Sequence, residues 1–349
     1  MMTKFNTDQI RAARAADPKS RERDFAKSCG ITEGELVAAF CGDDAYRLDL
    51  SFDQLFSTLD TLGEVMALTR NDSAVHEKIG VYDRFIAGKH ASMMLGENID
   101  MRMFPTVWAH AFSVTRRDQG HVRHSLQFFD KHGNAVHKIH ARPNTNLNAW
   151  HKLIGRFHSQ NQTPAMEVEA VIPTILPKPT AAQLADLRDG WNKMTDTHQF
   201  FPLLNRVKVS RIQALENIGE DYATVLERGA VETMMRLAVE RELPIMCFVG
   251  SPGCIQIHSG PITNVKTMGP WLNVMDETFH LHLRTDHIAS LWAVKKPIDK
   301  GHVHSIEAYD ARGELIIQFF GKREEGYDER PIWREIVHSL PKSDVPRAA

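Results

Sequence analysis

One passage of this chain is written twice. His124-Ser125-Leu126-Gln127-Phe128-Phe129-Asp130-Lys131-His132-Gly133 lines up, 180 positions later, with His304-Ser305-Ile306-Glu307-Ala308-Tyr309-Asp310-Ala311-Arg312-Gly313. The same offset pairs Phe112 with Trp292 and Val114 with Val294. Earlier in each half, Ile31 to Leu36 and Gly42-Asp43 match Val209 to Ala214 and Gly219-Glu220-Asp221 at nearly the same spacing. Solenoid repeats run about 20–50 residues, so a period this long, with one copy per half, marks duplication of a whole domain. The chain must therefore build one fold twice. Positions at which the copies differ are where function is to be sought.

With 349 residues there is length for two full cores. A formal net charge of −2 and the lack of a basic stripe argue against a nucleic-acid protein. No apolar run approaches the roughly 18 residues that would span a bilayer. Met1 to Asp8 lacks the apolar core of a signal peptide, which places the chain in the cytoplasm as an expectation. Cys29, Cys41, Cys247 and Cys254 form no CxxC pair, consistent with reduced thiols. The unusual count is 18 His beside 5 Tyr, which points toward metal or cofactor chemistry.

Each half reads as helices, then strands, then a closing helix. In the first half, Asp8 to Arg14 and Thr32 to Phe40 are predicted helical, and Asn146 to Phe157 closes with Leu147, Trp150, Leu153, Ile154 and Phe157 on one face. Ile79 to Tyr82, Trp108 to Val114 and Ser125 to Phe129 read as strands. The second half repeats the order, with helices over Ser210 to Asn217 and Ala230 to Glu240. Strands follow over Ile245 to Val249, Ile255 to His258, Phe279 to Leu283, Ala289 to Val294, His304 to Tyr309 and Leu315 to Phe319, before a helix from Arg330 to Leu340. Asp130 to Gly133 and Asp310 to Gly313 are predicted hairpin turns, and so is Gly250 to Gly253. The expected fold is α+β, a tandem duplication of two similar domains, each a large antiparallel β-sheet with flanking helices. Its segments are 1–163, a Pro-rich linker 164–179, and 180–349.

Thr180 to Gln183 has the pattern of a capping box. The helix behind it carries Leu184, Leu187, Trp191 and Met194 as one apolar stripe, and His198 falls four residues further along it. Pro202 is expected to limit further helix. On spacing alone a satisfied core histidine at a helix end is the commoner outcome, and an axial metal ligand is the sharper one.

Met194-Thr195-Asp196-Thr197-His198-Gln199-Phe200-Phe201-Pro202, Val209-Ser210-Arg211 and, in the first half, Leu95 to Phe104 resemble the cytoplasmic haem-utilisation, or hemin-degrading factor, family of bacterial haem uptake operons. The likeness runs through nearly the whole chain, duplication included. It implies one haem bound in a cleft on the second half, with His198 as proximal iron ligand. It implies Arg102 as the distal residue, and a guanidinium, having no lone pair, would hydrogen-bond a ligand on iron. Arg211, Lys296 and Arg323 are implied partners of the haem propionates. Phe104 and Phe248 are implied apolar borders. Phe320 stands where relatives often carry Tyr, a departure that removes a phenol hydrogen bond.

Other signals are weaker. His280 with His282, and His302 with His304, share strand faces at i, i+2 and could begin a zinc site, but no third ligand is evident. Exposed strand histidines are the simpler account, and His121, His124, His137 and His140 read the same way. No P-loop, Rossmann fingerprint, HExxH or nucleophile elbow occurs. The function expected is cytoplasmic haem binding with degradation that releases iron, the alternative being a non-catalytic carrier that hands haem to a downstream haem oxygenase or to storage. A haem ABC importer is the implied donor. The reductant is left open, NAD(P)H being one candidate.

Overall fold

The computed structural model describes residues 5–118, 120–172, 176–323 and 329–344. Pro173, in the Pro-rich linker 164–179, lies outside them. Two compact units are present. Unit 1 comprises Met1–Arg70, His76–Ile172 and Gly250–Gln256, and unit 2 comprises Asn71–Val75, Pro173–Val249 and Ile257–Ala349.

The first repeat contributes β1 Ala45–Leu48, β2 Val65–Arg70, β3 Ala74–Gly80, β4 Phe85–Ile86, β5 Ser92–Leu95, β6 Asp100–Met103, β7 His110–Asp118, β8 His121–Phe129 and β9 Ala135–Ala141. The second contributes β10 Ala223–Leu226, β11 Ile245–Ser251, β12 Cys254–Gly260, β13 Val265–Met268, β14 Trp271–Met275, β15 Phe279–Arg284, β16 Ser290–Ile298, β17 Gly301–Tyr309 and β18 Leu315–Gly321. Sheet order in the first is β1-β7-β8-β9-β2-β3 and in the second β10-β16-β17-β18-β11-β12. These are the same order, strand for counterpart strand, in two large antiparallel sheets. Duplication in the sequence is thus duplication of topology.

Period-two burial sets which face each strand turns inward. In β15, Phe279, Leu281 and Leu283 are buried while His280 and His282 stand between them. The hairpin turns of both repeats use one device. Asp130 accepts from the backbone of His132 (2.9 Å) and Asn134 (2.8 Å), and Asp310 accepts from Arg312 (2.8 Å) and Glu314 (2.9 Å). Gly133 (φ 78°) and Gly313 (φ 77°) supply the left-handed step in each.

In unit 2, one face of the sheet packs Ile306, Ile317 and Phe319 against Met234 and Met235 of helix Ala230–Glu240 and Trp333 and Ile336 of helix Pro331–Ser339. On the other face, Trp292, Val294 and Tyr309 pack against Leu187, Trp191, Phe200, Leu203 and Leu215 from helices Ala181–Asn192, Phe200–Val207 and Arg211–Asn217. That second face carries the chemistry below.

His137 departs from the expectation of an exposed strand histidine. It is buried in unit 1, with Nδ1 2.8 Å from Thr69 Oγ1 and Nε2 2.6 Å from Tyr82 Oη, so both ring nitrogens are satisfied while neutral. Burial, helped by His140, pushes its pKa down to about 3, and burial with Lys138 pushes His140 to about 4. An unfolded histidine takes its proton near 6.5 and these do not, so the unfolded state binds more protons below that value. Stability should therefore fall as pH drops from about 6.5 toward 4, each imidazole costing about 2 kcal/mol by pH 5. Urea unfolding of wild type and His137→Gln at pH 7 and pH 5 checks this. The pH-dependent loss should shrink in the variant, and an unchanged loss would exclude His137 as its source.

Candidate functional site

Glu307 on β17 is the centre of the second face. Its carboxylate is fully buried and accepts from Arg211 Nε and Nη2 (both 2.9 Å), Lys296 Nζ (2.8 Å), Ser305 Oγ (2.7 Å), Tyr309 Oη (2.6 Å) and Gln318 Nε2 (3.0 Å). Arg211 arrives from the first turn of helix Arg211–Asn217, whose N-cap Ser210 forms a capping box with Gln213. Lys296 comes from β16, one strand away. Their charges lie against the Phe200 ring, Arg211 at 5.2 Å and Lys296 at 4.8 Å from its centre. Burial opposes the Glu307 charge, but Arg211 and Lys296 outweigh it and hold the carboxyl well below its usual range. Burial, reinforced by Arg211, wins at Lys296, whose pKa is lowered despite Glu307. Two cations share one carboxylate. The cluster carries one positive charge in excess.

The first repeat fills the same positions differently. At the 180-residue offset Gln127 stands for Glu307 and Lys138 for Gln318, while Glu33 follows Thr32 as Arg211 follows Ser210. There Lys138 is the central ion, 2.8 Å from Glu33 and 3.6 Å from Glu22, with Arg116 2.7 Å from Glu22. The centre has changed sign. A buried carboxylate ringed by cations in one copy is a buried ammonium facing carboxylates in the other.

His198 lies beside this cluster in sequence, two residues before Phe200, but not in the helix the apolar stripe implied. Helix Ala181–Asn192 ends early, and His198 sits in a short 3₁₀ turn, Thr197–Gln199. Asp196 opens the new turn: it is extended (φ −150°, ψ 141°), and its side chain accepts from His198 N at 2.6 Å as the cap. Nor does Pro202 stop the chain from coiling. It takes the third position of helix Phe200–Val207, where its missing N–H costs no helical bond. The His198 side chain is 81% exposed, which rules out the core histidine.

A cleft of about 320 Å³ is lined by Thr195, Asp196, Thr197, His198, Ile298, Asp299, Lys300 and Arg323. His198 and Arg323, far apart in sequence, meet here. Asp299 N donates to Thr195 O at 2.9 Å, tying the β16–β17 turn to the histidine loop. Asp196 Oδ1 is 2.7 Å from His198 Nδ1, so this nitrogen donates its proton and Nε2 keeps the lone pair. Hydrogen bonds from His198, backbone first, and the Arg323 charge hold the Asp196 carboxyl below its usual range.

Phe248 on β11 registers opposite Gln318, and its half-buried ring meets Phe320 edge-on at 5.2 Å. Five residues named from the sequence therefore occupy unit 2: His198 and Arg323 in the cleft, and Arg211, Lys296 and Phe248 on the adjoining sheet face. The other two belong to unit 1. Arg102, on β6, is ion-paired with Asp100 and donates to Met101 O at 3.2 Å. Phe104 precedes a short 3₁₀ turn, its amide bonded to Gly253 O at 2.9 Å. Of the histidine pairs, His282 Nδ1 meets Asn273 Oδ1 at 2.7 Å and His304 Nδ1 meets Glu329. Among the described residues no group of three such side chains could hold a metal ion.

A family model described as the haemin-degrading HemS.ChuX domain matches residues 30–157 and again 208–340. The chain belongs to this family. Within it, the hemin transport protein HmuS of Yersinia pestis is 37% identical over 334 residues, covering 95% of this chain and 96% of HmuS. Holo-PhuS, a heme-binding protein from Pseudomonas aeruginosa, superposes with a TM-score of 0.92 at 38% identity, covering 97% of this chain and 100% of that one. ChuS, a heme-degrading enzyme of Escherichia coli O157:H7, does so at 0.89 and 33% identity, covering 96% and 100%. Each matched segment of this HemS/ChuX chain contains the central group of its charge cluster, Lys138 in the first and Glu307 in the second. Reading the sequence missed Glu307 and Asp196. Glu307 had a signal, being the member of the repeated passage at which Gln127 acquires a charge. Asp196 had only its place two residues before His198.

Proposed function

We propose that this chain binds one haem in the His198 cleft of unit 2, taking it up in the cytoplasm after import, and degrades it to release iron. The observation that carries this is the exposed imidazole whose Nδ1 is tied to Asp196 in a cleft shared with Arg323 and Lys300. The donor set fits haem. Nε2 offers the neutral lone pair iron needs, Arg323 and Lys300 suit propionate carboxylates, and exposed Phe201 with half-buried Phe248 offers apolar surface. Arg211 and Lys296 act here through the excess charge of the Glu307 cluster, since their hydrogen bonds are already engaged. Phe104 is kept as an apolar border, and Arg102 as a hydrogen-bond donor to a small ligand on iron, both on sequence context alone. When bound, haem supplies the redox-active iron.

The second reading is a carrier that passes haem intact to a haem oxygenase or to storage, and the likeness to HmuS, a hemin transport protein, favours it. To separate the two, the haem complex is incubated with ascorbate or NAD(P)H, with and without catalase, and the tetrapyrrole is identified by mass spectrometry. Degradation predicts an opened, iron-free product that persists with catalase. Recovery of intact haem supports the carrier, and failure to take up haem ends both readings. Arg102→Ala should retain haem yet slow breakdown on the order of 10-fold or more. Arg102→Lys should restore it in part, since an ammonium lacks the planar fork of donors. Wild-type rates in both variants would remove Arg102 from the chemistry.

A further inference from the structure

We infer that Asp196 is the positioning residue of His198, holding the imidazole in one tautomer and one orientation and strengthening Nε2 as an electron donor to iron. The inference rests on the reading of His198 as the haem ligand. One carboxylate oxygen makes two bonds to the same residue: Asp196 Oδ1 accepts from His198 N at 2.6 Å and from its ring Nδ1 at 2.7 Å. Backbone and ring are thereby fixed relative to each other.

This matters because, among the described residues, no other hydrogen bond to the ring is seen. At 81% exposure the side chain lacks the packing that restrains a core histidine, and a free imidazole in water would sample several rotamers and both tautomers. A metal ligand gains affinity from being held before the metal arrives, and a carboxylate on the remote nitrogen also makes the imidazole more basic. Greater electron supply favours ferric over ferrous iron.

The loop is also held by bonds that do not involve this carboxylate. Thr195 N donates to Gln199 Oε1 at 2.9 Å, Gln199 Nε2 donates to Thr195 Oγ1 at 3.0 Å, and Asp299 N anchors Thr195 O. Asp196→Asn keeps an oxygen that can accept from both His198 groups while removing the charge. Asp196→Ala removes the tether altogether.

The test uses the full chain loaded with haem. Asp196→Asn should bind haem through His198 as before, but with the ferric/ferrous midpoint shifted to more positive potential and a lower iron–histidine stretching frequency in the ferrous form. Asp196→Ala should release haem about 10–100-fold faster, the range typical for loss of a group that orients a metal ligand. Wild-type potential, stretch and release rate in both variants would overturn the inference while leaving His198 as ligand. A wild-type haem spectrum in His198→Ala would instead remove the reading beneath it.

Discussion

Glu307→Gln is expected to destabilise unit 2 by about 3–5 kcal/mol, the cost of removing one partner from a buried ion pair. The side chain keeps its size and much of its hydrogen bonding, so the loss is electrostatic. Arg211 and Lys296 would be left as two buried cations packed on one ring, Phe200, with no carboxylate between them. Lys296 can relieve part of this by giving up its proton, since its pKa is already lowered. Arg211 has no such escape. Lys296→Met should cost clearly less, because it leaves the two-bond Arg211–Glu307 pair intact with charges balanced. Urea unfolding of the two variants checks the order. A milder Glu307→Gln than Lys296→Met would mean that the excess positive charge is not borne by this cluster.

The parts of the fold governed by short-range rules were legible in the sequence. Duplication, the Asp-to-Gly hairpin turns, the capping box at Thr180 and the closing helices all follow from patterns visible in the sequence itself. Strands β1, β2, β4, β5, β6, β9, β10, β13 and β14 were not identified, and all of them but β9 are short. The site was less legible. An apolar stripe extrapolated through Met194 gave His198 a helical position, but the helix ends at Asn192 and Asp196 caps a separate turn. The Glu307 cluster joins side chains 96 residues apart, and neither Arg211 nor Glu307 shows locally that the other neutralises it. A propionate role for Arg211 and Lys296 looked direct from the resemblance. In the structure both cations bond to Glu307, so in the proposed haem complex their charge would act over a distance, while Arg323 and Lys300 line the cleft itself.

His198→Ala carries the largest expected effect on the ligand. Among the described residues that line the cleft, no other offers an imidazole to iron, since Lys300 and Arg323 carry basic groups and Asp196 and Asp299 carboxyl groups. Loss of a group that merely orients a metal ligand costs about 10–100-fold, so loss of the ligand should cost at least about 100-fold, or roughly 3 kcal/mol. Residual binding would come from the cations and apolar surface. The most direct test is the ferric-haem absorption and EPR spectrum of wild type and His198→Ala during titration with haem, repeated with added imidazole. The expected result is loss of the wild-type spectrum and affinity in the variant, with imidazole restoring the spectrum in part. An unchanged spectrum and affinity would place the iron on another residue and contradict the account at its centre.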